Sequence, residues 1–222
     1  MVVADVDEAA GQDVVAAIRA SGTAASFVAA DITYERDVKG MLDHAGRAFG
    51  RLDILVNNAG GYEQPVFPDA SVEHWSRALD LNLRGAMLAI HYGVRAMETR
   101  GGAIVNIASS AGLGWAPHPG PEYAAAKAAL MRLTASLAPL AERGIRVNCV
   151  SPHTVGTEAV HQTVAELSAK GAELPAPLQD PFLEPEEVAD AVVEFVRDES
   201  LAGRVMICRG GEPRRLVPTG SR

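Results

Sequence analysis

The 222-residue chain lacks the features that mark several classes of protein. It has only two cysteines, Cys149 and Cys208, and both lie in apolar segments. We therefore expect buried thiols in a reducing compartment rather than a disulfide or metal pair. No apolar run approaches the ~20 residues of a membrane span, and the N-terminus has no basic segment followed by an apolar core. These absences favour a cytoplasmic protein without membrane association.

Basic clusters and metal-binding patterns are scarce as well. The net charge is −8, the pI is about 5.2, and no run of Lys or Arg occurs, so we do not expect a nucleic-acid partner. The six histidines show no metal-ligand spacing, and no metal site is predicted. Apolar residues make up 48% of the chain, which is enough for the core of one domain spanning residues 1–222.

Short apolar segments alternate with segments of helical periodicity. The predicted strands are 2–4, 24–29, 52–56, 102–108, 145–150 and 204–207; the predicted helices are 7–20, 34–49, 71–99, 123–141, 158–170 and 185–197. Asp7 and Ser71 are predicted N-caps, and Gly50 a helix stop. This alternation predicts an α/β fold with a parallel sheet covered on both faces. Ligands bind beyond the carboxyl ends of such strands, where we place Asp5, Asp31, Asn57, Ser110 and Ser151.

Tyr123 and Lys127 carry the strongest chemical signal. They lie four residues apart on a predicted helix and therefore share one face. An ammonium beside a phenol favours the phenolate, so we expect Lys127 to lower the pKa of Tyr123 and to make it a general acid/base. Ser110, thirteen residues before the tyrosine, ends a predicted strand and would bind a substrate oxygen. The alternative is a solvated surface pair on the helix.

Three further motifs accompany this pair. Asn57-Asn-Ala-Gly60 follows a predicted strand, Asn82 lies in Leu81-Asn-Leu-Arg-Gly85, and Ile145-Arg-Val-Asn-Cys-Val-Ser-Pro152 follows the helix of Tyr123. In this order, from residue 1 to about 211, they resemble the short-chain dehydrogenase/reductase family of the single-domain type. The resemblance implies an oxidoreductase that transfers a hydride between NAD and a secondary alcohol or carbonyl substrate.

The resemblance also implies roles for single residues. Tyr123 transfers the hydroxyl proton, Ser110 rather than Ser109 stabilises the oxygen, and Lys127 with Asn82 forms the proton relay. Asp5 would bind the adenine ribose and favour NAD over NADP, because a carboxylate repels a 2′-phosphate. Further cofactor contacts are expected from Asp31 and Ile32 at adenine, Asn57, Ala59 and Gly60 along the ribose, Tyr123 and Lys127 at the nicotinamide ribose, and Pro152, Val155 and Thr157 at the carboxamide. Helix capping, turn formation and strand-end support are the alternatives for several of these residues.

One part of the family pattern is not in the chain. The motif Thr-Gly-x-x-x-Gly-x-Gly, which would bind the pyrophosphate, does not occur, and the strand ending at Asp5 matches the family's second strand. We therefore expect a Rossmann-like doubly wound parallel sheet that is N-terminally truncated, with the first strand and first helix absent. A non-catalytic remnant of a dinucleotide fold, acting by binding or assembly, is the second hypothesis.

Assembly and substrate choice are predicted only coarsely. Small apolar residues on helices 71–99 and 123–141, together with the resemblance, predict a homodimer or homotetramer. The substrate loop should lie at about 151–184, where His153 replaces a glycine of the family pattern. Tyr62, Phe67, Trp115 and His118 are candidates for the pocket wall.

Overall fold

The computed structural model describes residues 1–114 and 117–219 and has an α/β fold. The strands are β1 (Val2–Asp5), β2 (Ser26–Ala29), β3 (Ile54–Asn57), β4 (Gly102–Ile107), β5 (Ile145–Pro152), β6 (Val205–Cys208) and β7 (Arg215–Leu216). The helices are α1 (Glu8–Ala20), α2 (Glu35–Phe49), α3 (Val72–Leu79), α4 (Gly85–Met97), α5 (Pro121–Ser136), α6 (Glu158–Ala169) and α7 (Pro185–Arg197). Short 3₁₀ turns occupy Ser110–Gly112, Ala138–Arg143 and Ala176–Leu178.

Local capping signals place several helix ends correctly. The Asp7 side chain accepts a hydrogen bond from the Ala10 amide at 3.0 Å and starts α1. Ser71 caps α3 in the same way through the His74 amide at 3.2 Å. Gly50 ends α2 with a φ of 78°, a left-handed conformation that favours glycine. These three predictions are confirmed.

The strands form two sheets rather than one. In the larger sheet the order is β3-β4-β5-β6-β7, parallel except for the antiparallel β7, while β1 and β2 form a separate parallel pair. Within the described residues, β1 pairs only with β2 and β3 pairs, among the strands, only with β4. The prediction of parallel strands is confirmed. The strands do not, however, form the single sheet that was expected. The fold does not confirm the predicted loss of a first strand and helix, which stays a prediction.

The core joins the two sheets through helices. Ile104 and Val147 of the larger sheet are fully buried in a cluster that also contains Val38 of α2 and Ala89 of α4. Helix α2 thereby packs the β1–β2 pair against the rest of the molecule. On the other face, Phe195 of α7 is fully buried against β4, β5 and β6. Because β3, β4 and β5 run parallel, their carboxyl ends lie at one edge of the larger sheet.

Two predicted helices are interrupted. The predicted helix 71–99 contains a π-helical turn at Asp80–Arg84, which separates α3 from α4. The predicted helix 123–141 begins earlier and stops at Ser136, where a 3₁₀ turn replaces it. In the described part of the chain, no helix is long and apolar enough to cross a membrane.

Candidate active site

Tyr123 and Lys127 lie together at the start of α5, where Pro121 occupies the first turn. The Lys127 Nζ is 5.6 Å from the centre of the Tyr123 ring and donates to the Ile107 carbonyl at 2.9 Å. Only 3% of Lys127 is exposed. The helix therefore places a buried ammonium and a phenol side by side at the end of β4, as the four-residue spacing predicts.

Burial has the largest effect on the pKa values of Tyr123 and Lys127. It lowers the pKa of Lys127 to about 8, because a charged ammonium loses hydration inside the protein. Burial raises the pKa of Tyr123, and a hydrogen bond from Ser109 opposes that rise only in part. The prediction that Lys127 lowers the pKa of Tyr123 below its ordinary value is therefore wrong for this structure. The reason is that desolvation of the phenol outweighs the favourable interactions.

Asn82 is held inside the π-helical turn. Its Nδ2 donates to the Ala78 carbonyl at 2.9 Å and to the Gly61 carbonyl at 2.7 Å, while its Oδ1 accepts from the Gly61 amide at 3.0 Å. Only 1% of Asn82 is exposed. A Cβ added at Gly60 would lie 2.8 Å from both the Asn82 Oδ1 and the Lys127 Nζ. The structure thus brings Asn82, Gly60 and Lys127 together at the π-helical turn.

The two serines after β4 make different contacts. Ser109 is the last extended residue, with φ −164° and ψ 149°, and its hydroxyl accepts a hydrogen bond from the Ala111 amide at 3.2 Å. Ser110 begins the 3₁₀ turn, which turns its hydroxyl toward the His153 Nδ1 at 2.9 Å. The spacing argument selected Ser110 and assigned Ser109 to strand support. The assignment of the oxygen-binding role to Ser110 stays a prediction.

The acidic residues predicted at adenine lie on the β1–β2 side of the molecule. Asp5 is exposed, and its Oδ1 accepts from the Asp7 amide at 3.0 Å. Asp31 bonds the Thr33 amide and hydroxyl and pairs with Arg77 at 3.2 Å. Burial alone would raise the pKa of Asp31, but Thr33 and Arg77 outweigh it and hold that pKa low. Each carboxylate therefore also stabilises a local turn by accepting a hydrogen bond from the backbone amide two residues later.

Other predicted cofactor residues have structural contacts. The Ile32 side chain packs on α4, since a Cβ at Gly85 would lie 2.7 Å from its Cδ1. The Asn57 Nδ2 donates to the Asn106 Oδ1 at 2.8 Å, which ties β3 to β4. Ala59 and Gly60 are exposed beyond β3.

The segment after β5 carries the remaining predictions. Pro152 is buried as the last residue of β5, Val155 forms a bridge to Leu183, and the Thr157 hydroxyl caps α6. His153 contacts both Ser110 and Asp180. Sequence reasoning missed Asp180 and Arg209 altogether, and the only signal was the histidine in place of glycine.

Aromatic rings surround the phenol. The Tyr62 ring centre lies 5.4 Å from those of His118 and Tyr123, and His118 stacks on Tyr123 at 5.6 Å. Tyr62 and His118 thus lie beside the phenol, whereas Phe67 is 51% exposed, and their role as a pocket wall stays a prediction. Trp115 lies outside the described residues. Among the residues described, no cluster of His, Cys, Asp or Glu could hold a metal ion.

Known proteins are similar to this chain in sequence and in fold. A family model described as enoyl-(acyl carrier protein) reductase matches residues 1–211. Cis-4-hydroxycyclohexanecarboxylate dehydrogenase of Sinomonas cyclohexanicum is 37% identical over 221 residues, covering 95% of this chain and 85% of that protein. A crystal structure described as a short-chain dehydrogenase/reductase from Burkholderia xenovorans has 30% identity and a TM-score of 0.82, covering 95% of this chain and 83% of the other.

The chain belongs to the short-chain dehydrogenase/reductase family. A 7α-hydroxysteroid dehydrogenase solved with NADH and 7-oxo glycochenodeoxycholic acid gives the same TM-score of 0.82 at 30% identity, over 95% of this chain and 83% of that one. As a short-chain dehydrogenase/reductase, the protein is an NAD(P)-dependent oxidoreductase that acts on CH–OH groups.

Proposed function

We propose that the protein interconverts a secondary alcohol and a ketone through Tyr123, Lys127, Asn82 and a serine of the β4 turn. The observation that carries this proposal is the Tyr123–Lys127 pair, with its buried ammonium, next to Asn82. The Tyr123 phenol moves the hydroxyl proton, and the serine hydroxyl binds the substrate oxygen. The dinucleotide, when bound, accepts or supplies the hydride.

We assign the oxygen-binding role to Ser110, which stands thirteen residues before Tyr123 and begins the turn after β4. Its hydroxyl lies 2.9 Å from the His153 Nδ1. A donor that stabilises the reacting oxygen contributes about 10²- to 10³-fold in kcat.

Matched variants test this assignment. We expect a loss of about that size in NADH formation for Ser110→Ala and a smaller loss for Ser109→Ala. A larger loss for Ser109→Ala would move the role to Ser109.

Residues at the sheet edge fit the nicotinamide half of the cofactor. Gly60 lets Lys127 and Asn82 pack directly on its backbone, since a Cβ there would meet both at 2.8 Å. An ammonium held at this place suits ribose hydroxyls. We assign the ribose to Lys127, Tyr123 and Gly60, and the adenine end to Asp5 and Asp31. The carboxylate of Asp5 supports NAD over NADP.

The pyrophosphate contact is the weak part of the site. The chain has no Thr-Gly-x-x-x-Gly-x-Gly turn, and β1 and β3 each have an edge without a strand partner among the described residues. These edges support our expectation that a further strand and Gly-rich turn complete the fold. They also favour the second candidate function, a non-catalytic dinucleotide-fold remnant that acts by binding or assembly.

Calorimetric titration with NADH separates these possibilities. We expect weak binding by the 222-residue chain, and tighter binding by a chain extended with a strand and Gly-rich turn. Equal affinity for the two chains would remove the need for the added unit. No binding by either chain would favour the remnant.

We propose an alicyclic secondary alcohol as the substrate. Two similar proteins are named for a hydroxyl group on a ring, one on cyclohexane and one on a steroid. The aromatic wall of Tyr62 and His118 beside Tyr123 supports an apolar ring at this position. Turnover of cyclohexanol and of linear alcohols of equal carbon number would test the choice, and a preference for linear alcohols would contradict it.

We propose a homodimer or homotetramer built on α4 and α5. A cleft of about 520 Å³ lies along this face, lined by Met87, Ile90, Val94, Leu133 and Leu137 among others. Met87 is 46% exposed in the single chain. An apolar helical face of this kind supports a two-fold interface.

A further inference from the structure

A chain of hydrogen bonds connects the Ser110 hydroxyl to two charged side chains. The Ser110 Oγ is 2.9 Å from the His153 Nδ1, and the His153 Nε2 is 3.1 Å from the Asp180 Oδ2. Arg209 donates to the same Asp180 oxygen at 2.7 Å. These residues lie in the segments that follow β4, β5 and β6 and in the segment before α7. Side chains from four separate segments therefore meet at the serine to which we assign the reacting oxygen.

Backbone contacts hold the histidine and the carboxylate beside each other. The Thr154 hydroxyl donates to the Pro177 carbonyl at 2.7 Å, and the Leu183 amide donates to the Thr154 carbonyl at 2.9 Å. The segment that carries Asp180 is thus fastened on both sides next to His153. The histidine side chain is only 20% exposed. Its ring is therefore held between the carboxylate and the serine.

The carboxylate fixes the role of one ring nitrogen. Arg209 first, and His153 second, hold the pKa of Asp180 below its usual range, so its oxygens only accept hydrogen bonds. The His153 Nε2 must therefore carry a hydrogen in both the neutral and the charged form of the ring. The two forms differ at Nδ1 alone. The charged imidazolium donates from Nδ1 to the Ser110 Oγ, whereas the neutral ring accepts a hydrogen bond there.

The state of Nδ1 decides where the Ser110 hydrogen can go. When Nδ1 donates, the Ser110 hydrogen is free for another acceptor. When Nδ1 accepts, the hydroxyl donates to the ring and must break that bond to reach a substrate oxygen. A carbonyl oxygen can only accept, so its stabilisation by Ser110 needs the free hydrogen. Ser110 is partly exposed and can be reached by a substrate.

We propose that His153 is a positioning residue that, in its charged form, directs the Ser110 hydroxyl toward the reacting oxygen. Asp180 pairs with this form of the ring. Arg209 contacts Asp180 and lies 3.6 Å from Glu212, so the charges of the network are balanced next to the ring. None of these three charged residues needs to touch the substrate. This inference rests on the proposed role of Ser110 in binding the oxygen.

The first test measures reduction of cyclohexanone by NADH in the wild type and in Ser110→Ala from pH 5.5 to 8.5. Histidine ordinarily changes its charge between about pH 5 and 8. We expect the ratio of the wild-type kcat to the Ser110→Ala kcat to fall by about two- to tenfold as pH rises, the range of one net hydrogen bond. Burial lowers the pKa of Lys127 to about 8, but this group titrates in both proteins and largely cancels in the ratio.

Three variants control for effects on folding. His153→Asn can donate to Ser110 at every pH, and His153→Phe neither donates nor accepts, so the ratio measured in either background should not depend on pH. Asp180→Asn removes the negative charge that pairs with the imidazolium, and the fall of the ratio should move to lower pH.

The outcomes separate the two proposals. A ratio that stays large and constant with pH in the wild type, or a fall that persists in both His153 variants, would overturn the positioning role alone. Failure of the wild type to reduce the ketone, or equal activity of the wild type and Ser110→Ala at every pH, would count against the proposed function.

A second test needs no turnover. Long-range ¹H–¹⁵N spectra of the histidine rings, with His153 assigned from the signals lost in His153→Phe, follow both ring nitrogens from pH 5 to 9. Hydrogen should stay on Nε2 and leave Nδ1 as pH rises. Loss of hydrogen from Nε2 instead would overturn the positioning role, because Nδ1 would then donate to Ser110 at every pH.

Discussion

Replacing Lys127 with methionine should change how the stability of the protein depends on pH. Burial lowers the pKa of Lys127 from an ordinary 10.5 to about 8. At about 1.4 kcal/mol per pKa unit, the buried charge costs roughly 3 kcal/mol when it is fully protonated. Methionine fills a similar volume without a charge and removes this cost.

The sign follows from proton binding in the two states. Below pH 8 the ammonium is charged in both the folded and the unfolded protein, and the full cost is present. Between pH 8 and 10.5 the unfolded chain still binds the proton while the folded chain has lost it, so the contribution of Lys127 becomes more favourable as pH rises. The free energy of unfolding of Lys127→Met minus that of the wild type should therefore fall by roughly 3 kcal/mol over this window.

Other groups titrate in the same range and make the difference between variants necessary. Burial raises the pKa of Cys149 to about 12 and of Cys208 to about 11. Above pH 9, the ordinary pKa of a thiol here, both groups therefore lower the free energy of unfolding of the folded protein. Since both proteins contain them, this loss largely cancels. Urea unfolding at pH 7, 8, 9 and 10.5 measures the difference, with Lys170→Met as the exposed control. A flat difference for Lys127→Met would refute the burial of a charged Lys127.

Three further predictions concern close packing, cofactor choice and assembly. Gly60→Ala should destabilise the protein by about 1–3 kcal/mol and lower kcat, because the new Cβ would lie 2.8 Å from Lys127 and Asn82 and displace one of them. The control is Gly40→Ala in α2, where nothing lies within 4 Å of the new Cβ, and it should stabilise the protein by about 0.5–1 kcal/mol. Thermal melts would show both effects, and equal effects would contradict the clash. Asp5→Ser should raise the ratio of kcat/KM with NADP to kcat/KM with NAD. A wild-type preference for NADP would contradict the role of Asp5 in favouring NAD. Analytical ultracentrifugation should find a dimer or tetramer, and Leu137→Glu should shift it toward monomer; a monomeric wild type would reject the interface.

Periodicity and capping were enough to place most elements. Asp7, Ser71 and Gly50 mark helix ends through local hydrogen bonds or a left-handed φ, and such signals depend on a few neighbouring residues. The interruption at Asn82 was visible only as an asparagine of poor helix propensity. Within the π turn, Asn82 hydrogen-bonds Gly61, which is 21 residues away. Those contacts cannot be read from the local sequence.

The candidate site shows the same limit. The Tyr123–Lys127 pair follows from a four-residue spacing on one helix, and the structure confirms it. The choice between Ser109 and Ser110 depends on where the strand ends and the turn begins, which counting residues back from Tyr123 does not show. Asp180 reaches His153 across 27 residues of chain, and no short motif encodes that contact. The pKa of Tyr123 also depends on burial, which a spacing argument does not measure.

The central claim, that Tyr123 is the proton-transfer group of an alcohol oxidation, is tested most directly by Tyr123→Phe. The variant removes one hydroxyl and retains the ring that packs on Tyr62 and His118. Single-turnover and steady-state NADH formation should fall by about 10²- to 10⁴-fold in kcat. NADH binding, measured by fluorescence titration, should persist. Near wild-type turnover in Tyr123→Phe would contradict the account.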